Sequence, residues 1–163
     1  MAHGDAPPEV EPRTLVAVFV SPVAGYLLHF GKDLGFRTVL VEPDPARRAD
    51  APPADVVEPA LDKSYLDGDA DVVVTDHHRP ELGDALEQIL DTPARWVGVI
   101  GSLRHTAQHL ALLRERGLDE SAVARVHRPV GLNIGSRTPA EIAVATLAGL
   151  IADRTGRPGG FSF

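Results

Sequence analysis

The chain contains no cysteine, which excludes disulfides, thiolate metal sites and cysteine nucleophiles supplied by this protein. It has no apolar run approaching the roughly 20 residues needed to span a bilayer. Its opening segment is rich in proline and glutamate rather than basic and then apolar, unlike a secretory leader. A cytoplasmic location and no membrane partner are therefore expected. It lacks a cluster of lysine and arginine, and its formal charge is −7 with a pI near 5.4. Such a surface repels the phosphate backbone, so no nucleic-acid partner is expected. No internal repeat is visible.

What is present is enough for one ordinary core: 163 residues, 44% of them hydrophobic, a size that buries roughly 70% of the unfolded surface. Residues 1–13 read as a flexible lead-in, 14–154 as a single domain and 155–163 as a flexible tail. Within the domain, strand-length apolar runs alternate with helical patterns, as expected of a three-layer Rossmann-like α/β/α fold with a mainly parallel sheet. Leu15 to Val20, Phe36 to Val41, Asp71 to Thr75 and Arg95 to Ile100 read as buried strands, and Asp55 to Glu58 as a short edge strand. Helices are expected over 23–34, 80–90 and 103–116, the last ending at Gly117, with a shorter helical turn over 119–124. A final helix begins at Thr138-Pro139-Ala140-Glu141, a capping box with proline in the first turn, and runs to about Asp153.

Ligands of such folds bind beyond the carboxyl ends of the strands. Four loops qualify. The first, Val20-Ser21-Pro22-Val23-Ala24-Gly25, stands where a dinucleotide fold places G-x-G-x-x-G, and only Gly25 is read as surviving, for close packing of helix on strand. Ser21 reads either as a helix cap or as part of a phosphate cradle. Glu42, after the second strand, is placed to hold a ribose hydroxyl of an NAD-type cofactor. In Thr75-Asp76-His77-His78-Arg79, Asp76 and His77 are candidates for proton transfer, with helix capping as the alternative. Joint metal ligation by His77 and His78 is disfavoured, and His105 and His109, four apart on one helix, read as an exposed polar face. No metal site is expected. Gly101, Ser102 and Arg104 in the third loop, and Gly131, Asn133, Gly135, Ser136, Arg137 and Thr138 in the fourth, offer flexible backbone, hydroxyls and a guanidinium at helix starts, suited to an anion.

The stretch from Arg95 to Ser102, continued by Gly117-Leu118 and by His127-Arg128-Pro129-Val130-Gly131-Leu132-Asn133-Ile134-Gly135-Ser136-Arg137-Thr138-Pro139-Ala140-Glu141-Ile142-Ala143, resembles the C-terminal Rossmann domain of the XdhC/CoxI family of xanthine dehydrogenase accessory proteins. Thr75-Asp76-His77-His78 resembles that family's T-H-x-H loop. The resemblance implies a non-enzymatic accessory role in maturing molybdenum hydroxylases of the xanthine or carbon monoxide dehydrogenase type, with molybdenum cofactor or a related nucleotide as ligand. The implied partner is such a hydroxylase, or a separate protein carrying the family's N-terminal domain, with a homodimer also open. Three departures stand out: the altered first loop, Asn133 where aspartate is usual, and the missing N-terminal domain with its cysteine. Without cysteine, sulfur transfer is disfavoured, and the chain reads as a stand-alone relative or one part of a pair. The alternative reading is an NAD-dependent oxidoreductase with a degenerate dinucleotide loop.

Overall fold

A computed structural model describes residues 11–101 and 106–163, the side chains of 106 and 107 excepted. Six strands form one sheet: β1 (Thr14–Val18), β2 (Arg37–Val41), β3 (Val56–Glu58), β4 (Ala70–Val74), β5 (Trp96–Val99) and β6 (Val126–His127). Their order is β3-β2-β1-β4-β5-β6, and every pairing is parallel. This is the doubly wound Rossmann order, with the reversal between β1 and β4. The sheet is wholly parallel, and β3 is at the edge, where the sequence places it.

Strand periodicity divides the core in two. Val16, Val18, Val39, Val41, Val72, Val74, Val97 and Val99 point to one face, where they meet Leu82, Leu86 and Ile89 of α3 (Leu82–Leu90), Leu113 of α4 (Thr106–Glu115) and Val123 of α5 (Glu120–Val123). Leu15, Ala17, Leu40 and Val73 point to the other, against α1 (Pro22–Asp33) and α6 (Pro139–Thr155). A further short helix, α2 (Pro45–Arg48), follows β2. Because both faces are covered, the central strands read as continuous apolar runs rather than alternating ones. β6 is the element least visible in sequence: two residues within a stretch that reads as loop, followed by a cis Arg128–Pro129 bond.

Helix boundaries follow local chemistry. Thr138 Oγ1 accepts from the Glu141 N–H at 3.2 Å, and Glu141 Oε1 accepts from the Thr138 N–H at 3.1 Å. This is the capping box written in the sequence. α6 stops at Gly156, whose φ of 67° is left-handed, two residues beyond the expected domain end. Past it, a Cβ on Gly159 would meet the Leu132 side chain, so the tail touches the loop before α6.

The glycine that lets α1 close on β1 is Gly31. A Cβ there would lie 2.5 Å from Leu15 Cδ2, a fully buried side chain, whereas one on Gly25 would meet only Pro52 at an ordinary 3.7 Å. The close-packing role expected of Gly25 therefore belongs to Gly31. Gly31→Ala is expected to lower stability by about 1–3 kcal/mol through overpacking, read as a fall in the urea midpoint, while Gly25→Ala leaves the midpoint nearly unchanged.

Candidate functional site

The end of β1 decides what the dinucleotide crevice can hold. Phe19 follows β1 with φ 81°, a conformation that costs little for glycine and much for a residue with a side chain. If the first glycine of G-x-G-x-x-G belongs where the chain turns left-handed, the motif occupies positions 19, 21 and 24. Those positions are Phe19, Ser21 and Ala24, one residue earlier than the sequence suggests. No glycine survives in this register. Ser21 caps α1, its Oγ accepting from the Ala24 N–H at 3.1 Å and donating to Thr75 Oγ1 at 2.9 Å. Thr75 Oγ1 in turn lies 2.9 Å from the Phe19 carbonyl. The hydroxyl is thus tied into the fold between β1 and β4.

Glu42 does not reach a ribose. Its side chain is wholly buried, and the guanidinium of Arg79, 4% exposed, lies across it. Arg79 Nη1 donates to Oε1 at 2.7 Å and Nη2 to Oε2 at 2.8 Å. The same carboxylate accepts the N–H groups of Val20 and Asp44, each at 3.0 Å. Arg79 stacks 4.4 Å from the centroid of the Phe19 ring, and its Nε also meets Glu81 at 3.3 Å. Arg79 follows β4 and Glu42 follows β2, so their pair bridges the end of β1 at the topological switch point. The carboxylate takes the position of an internal anion on the first loop, using the Val20 N–H that a phosphate would need.

Burial pushes the Glu42 carboxyl upward, but the hydrogen bond from Arg79 and the two backbone N–H groups outweigh it and hold the group below the usual carboxylate range. Arg79 is held charged by the same contact, against the opposing effect of burial. Because the folded value is depressed, the stabilisation is fully present above the unfolded value of about 4.3 and disappears as the pH falls through the folded one.

The other expected site residues separate. Asp76 does not orient His77: its Oδ1 accepts from the His78 N–H at 2.9 Å, closing a turn. His77 directs Nδ1 to the Ile100 carbonyl at 3.1 Å, and its ring packs on that of His78. The proton-transfer pair is therefore not assembled, and the capping alternative fails as well, because α3 begins at Leu82 with Glu81 at its N-cap and no side-chain cap. His109, read as exposed, is 5% exposed and lies edge-on to His77 with ring centroids 6.0 Å apart. Ser102, Arg104 and His105 fall outside the described residues. Among the described residues no group of three or more histidine, aspartate and glutamate side chains is placed to hold a metal ion, and no helix is long and apolar enough to cross a membrane.

The fourth loop forms a cleft of about 610 Å³ with the end of β5, lined by Ile100, Gly101 and the stretch from Pro129 to Ser136, with Ile142 of α6 behind it. Gly131 is required by geometry. Its φ is 86°, a Cβ would lie 2.7–2.8 Å from the backbone of Ala145 and Thr146, and Leu132 donates its N–H to the Ala145 carbonyl at 3.0 Å. Gly135 is also left-handed. The α6 N-terminus is not an open anion cradle, because Glu141 Oε1 accepts both the Arg137 and Thr138 N–H groups, each at 3.1 Å. Arg137 and Asn133 are exposed. The walls are mainly apolar, with Asn133 and Ser136 as polar groups beside them, a lining suited to a flat ring more than to a bare phosphate.

The chain matches the XdhC Rossmann domain over residues 15–150. It belongs to that family. A curated relative, the uncharacterized protein YqeB of Escherichia coli strain K12, is 42% identical over 77 residues, 47% of this chain and 14% of that protein. A crystal structure titled as a xanthine dehydrogenase from Bacillus halodurans superposes with a TM-score of 0.69 at 26% identity, covering 93% of this chain and 45% of that one. The chain thus spans less than half the length of either. Within this XdhC domain, the residues that sequence reasoning passed over are Phe19, Arg79 and His109. One signal was available: Arg79 is an arginine following a buried strand.

Glu42→Ala strands the Arg79 guanidinium and is expected to cost about 3–5 kcal/mol, read by urea unfolding at pH 7. Wild-type stability is expected to hold from pH 7 down to about 5 and to fall below about 4. Glu42→Gln flattens that acid limb, and an unchanged limb contradicts the assignment.

Proposed function

We propose that this XdhC domain is an accessory component in the maturation of a molybdenum hydroxylase of the xanthine or carbon monoxide dehydrogenase type. In this reading it binds a phosphorylated heterocycle, a nucleotide or pterin, in the cleft between β5, the Gly131 loop and α6. Its partner is the hydroxylase or a protein bearing the XdhC N-terminal domain, with a second copy of this chain also open. The observation that carries the reading is the contrast between two places in one Rossmann fold. At the first loop the Val20 N–H is already taken by Glu42, itself paired with Arg79, while an apolar cleft stands at the same end of the sheet, where such folds bind ligands. Family membership and the name carried by the Bacillus halodurans relative supply the molybdoenzyme connection.

The cleft suits the ring system of a molybdenum cofactor. Ile100, Val130, Leu132 and Ile142 offer apolar contact, and Asn133 and Ser136 offer hydrogen bonds to ring edges. Bound there, the cofactor would bring the redox metal that the hydroxylase uses. With no cysteine in the sequence, no thiolate of this chain would hold that metal. The nicotinamide alternative gains no support, since Glu42 faces Arg79 rather than a ribose and Asp76 does not hold His77.

The test is native mass spectrometry of the protein purified from a host making molybdenum hydroxylases, with pull-down from the same cells. Bound pterin or nucleotide and co-purified hydroxylase are expected. Ligand-free protein with no hydroxylase overturns the reading. Gly131→Val, which drives a side chain into the α6 backbone, is expected to abolish ligand retention, whereas Arg137→Ala, on an exposed residue, retains most of it.

A further inference from the structure

Among the described residues, the guanidinium groups drawn into the fold are compensated, with one exception. Arg79 is paired with Glu42, Arg95 and Arg154 share the fully buried Asp71 at 2.7 and 2.9 Å, and Arg125 donates to the carbonyls of Leu90, Thr92 and Ala94 at 2.9–3.1 Å. Arg128 differs. Its Nε, Nη1 and Nη2 are all shielded from solvent, and none has a hydrogen-bond partner. Burial alone acts on it, pushing the guanidinium down, with no carboxylate close enough to oppose the shift. A buried cation without hydrogen bonds or a counter-charge is among the costliest arrangements a fold can keep. It is retained here beside empty space.

That space is a cavity of about 300 Å³ among α4, α5 and β6, lined by Arg128 and His109 together with apolar side chains such as Leu113, Val123 and Val126. His109 is 5% exposed and its Nδ1 also lacks a partner. At the rim, Arg114 and Glu120 close on each other at 2.7 Å, so the nearby carboxylate is already neutralised. A Cβ on Gly101 would strike Arg128 Nη2 and lie 2.8 Å from His77 Nδ1. The guanidinium therefore lies against the wall of the larger cleft, which Gly101 also lines.

We propose that Arg128 and His109 form an oxyanion site in this cavity, taking a tetrahedral anion as free phosphate or as the phosphate of a monoester. The guanidinium supplies a planar fork of N–H donors matched to two oxygens of such an anion, and the His109 ring nitrogen supplies a further contact. The site would hold the charged end of a ligand whose ring lies in the neighbouring cleft. This deepens the ligand-binding role proposed above and rests on it only for the source of the anion.

The experiment is a thermal-unfolding and calorimetric titration of the full chain with inorganic phosphate and, separately, with a nucleoside monophosphate, at constant ionic strength. Saturable stabilisation is expected. Response to inorganic phosphate assigns a free-anion site, and response to the monophosphate alone assigns a monoester site. Arg128→Met is expected to leave the anion-free protein as stable as wild type or more so, and to weaken anion binding at least ~tenfold. His109→Gln weakens binding by less. Should Arg128→Met fail to fold, Arg128→Lys keeps the charge, loses the fork and is expected to bind at least several-fold more weakly. No saturable effect of either anion up to ~10 mM, or equal effects in wild type and the Arg128 variants, overturns the proposal. That failure leaves the test for co-purified pterin or nucleotide standing, and a ligand-free cleft leaves the phosphate titration standing.

Discussion

The bidentate pair between Arg79 and Glu42 is the contact on which the functional end of this fold depends. It joins the ends of β2 and β4 across β1, where a Rossmann fold ordinarily admits a pyrophosphate. Both partners are further engaged: Phe19 stacks on the guanidinium, while the Val20 and Asp44 N–H groups complete the carboxylate. A buried ion pair of this kind is weak evidence for net stability, because desolvation offsets much of the attraction. Its consequence is specificity of place. With donor and acceptor satisfied internally, an incoming phosphate would have to displace a carboxylate already making charge-assisted contacts.

That constraint gives the neighbouring loops their meaning. β5 and β6 lie on the far side of the switch point, and the loop after β6 turns back along α6 so closely that only glycine fits at 131. Its walls are mainly apolar, and the Arg137, Thr138 and Glu141 N–H groups at the start of α6 are taken up by the capping box. The local charge comes from Arg128, set behind Gly101 with no counter-ion of its own. In the proposed reading, ring recognition and charge recognition fall to adjacent but different parts of the XdhC domain.

Much of the fold was legible in the sequence because it rests on local signals. Continuous Val-rich runs marked strands covered on both faces, and Thr138-Pro139-Ala140-Glu141 wrote out its own capping box. Other features carry no local signal. Nothing in a phenylalanine announces a positive φ, so the first loop was read one residue out of register and Gly25 received a role that belongs to Gly31. β6 is two residues long and shows no periodicity. The partners of Glu42 and Arg79 are 37 residues apart, and each alone resembles an ordinary surface charge. His109, four residues from His105 on one helix, read as part of an exposed polar face, yet it lies inward beside His77.

The most direct test of the Glu42–Arg79 pair as a barrier to a dinucleotide is an amide and guanidinium NMR titration with NAD at millimolar concentration. The amides of Val20, Ser21 and Ala24 are expected to stay in place, with the Arg79 Nε–H signal persisting, shielded from exchange by its ion pair with Glu42 and Glu81. Saturable shifts of those amides, accompanied by loss of the Arg79 signal, would show that the pair opens to admit a dinucleotide, and would contradict the account.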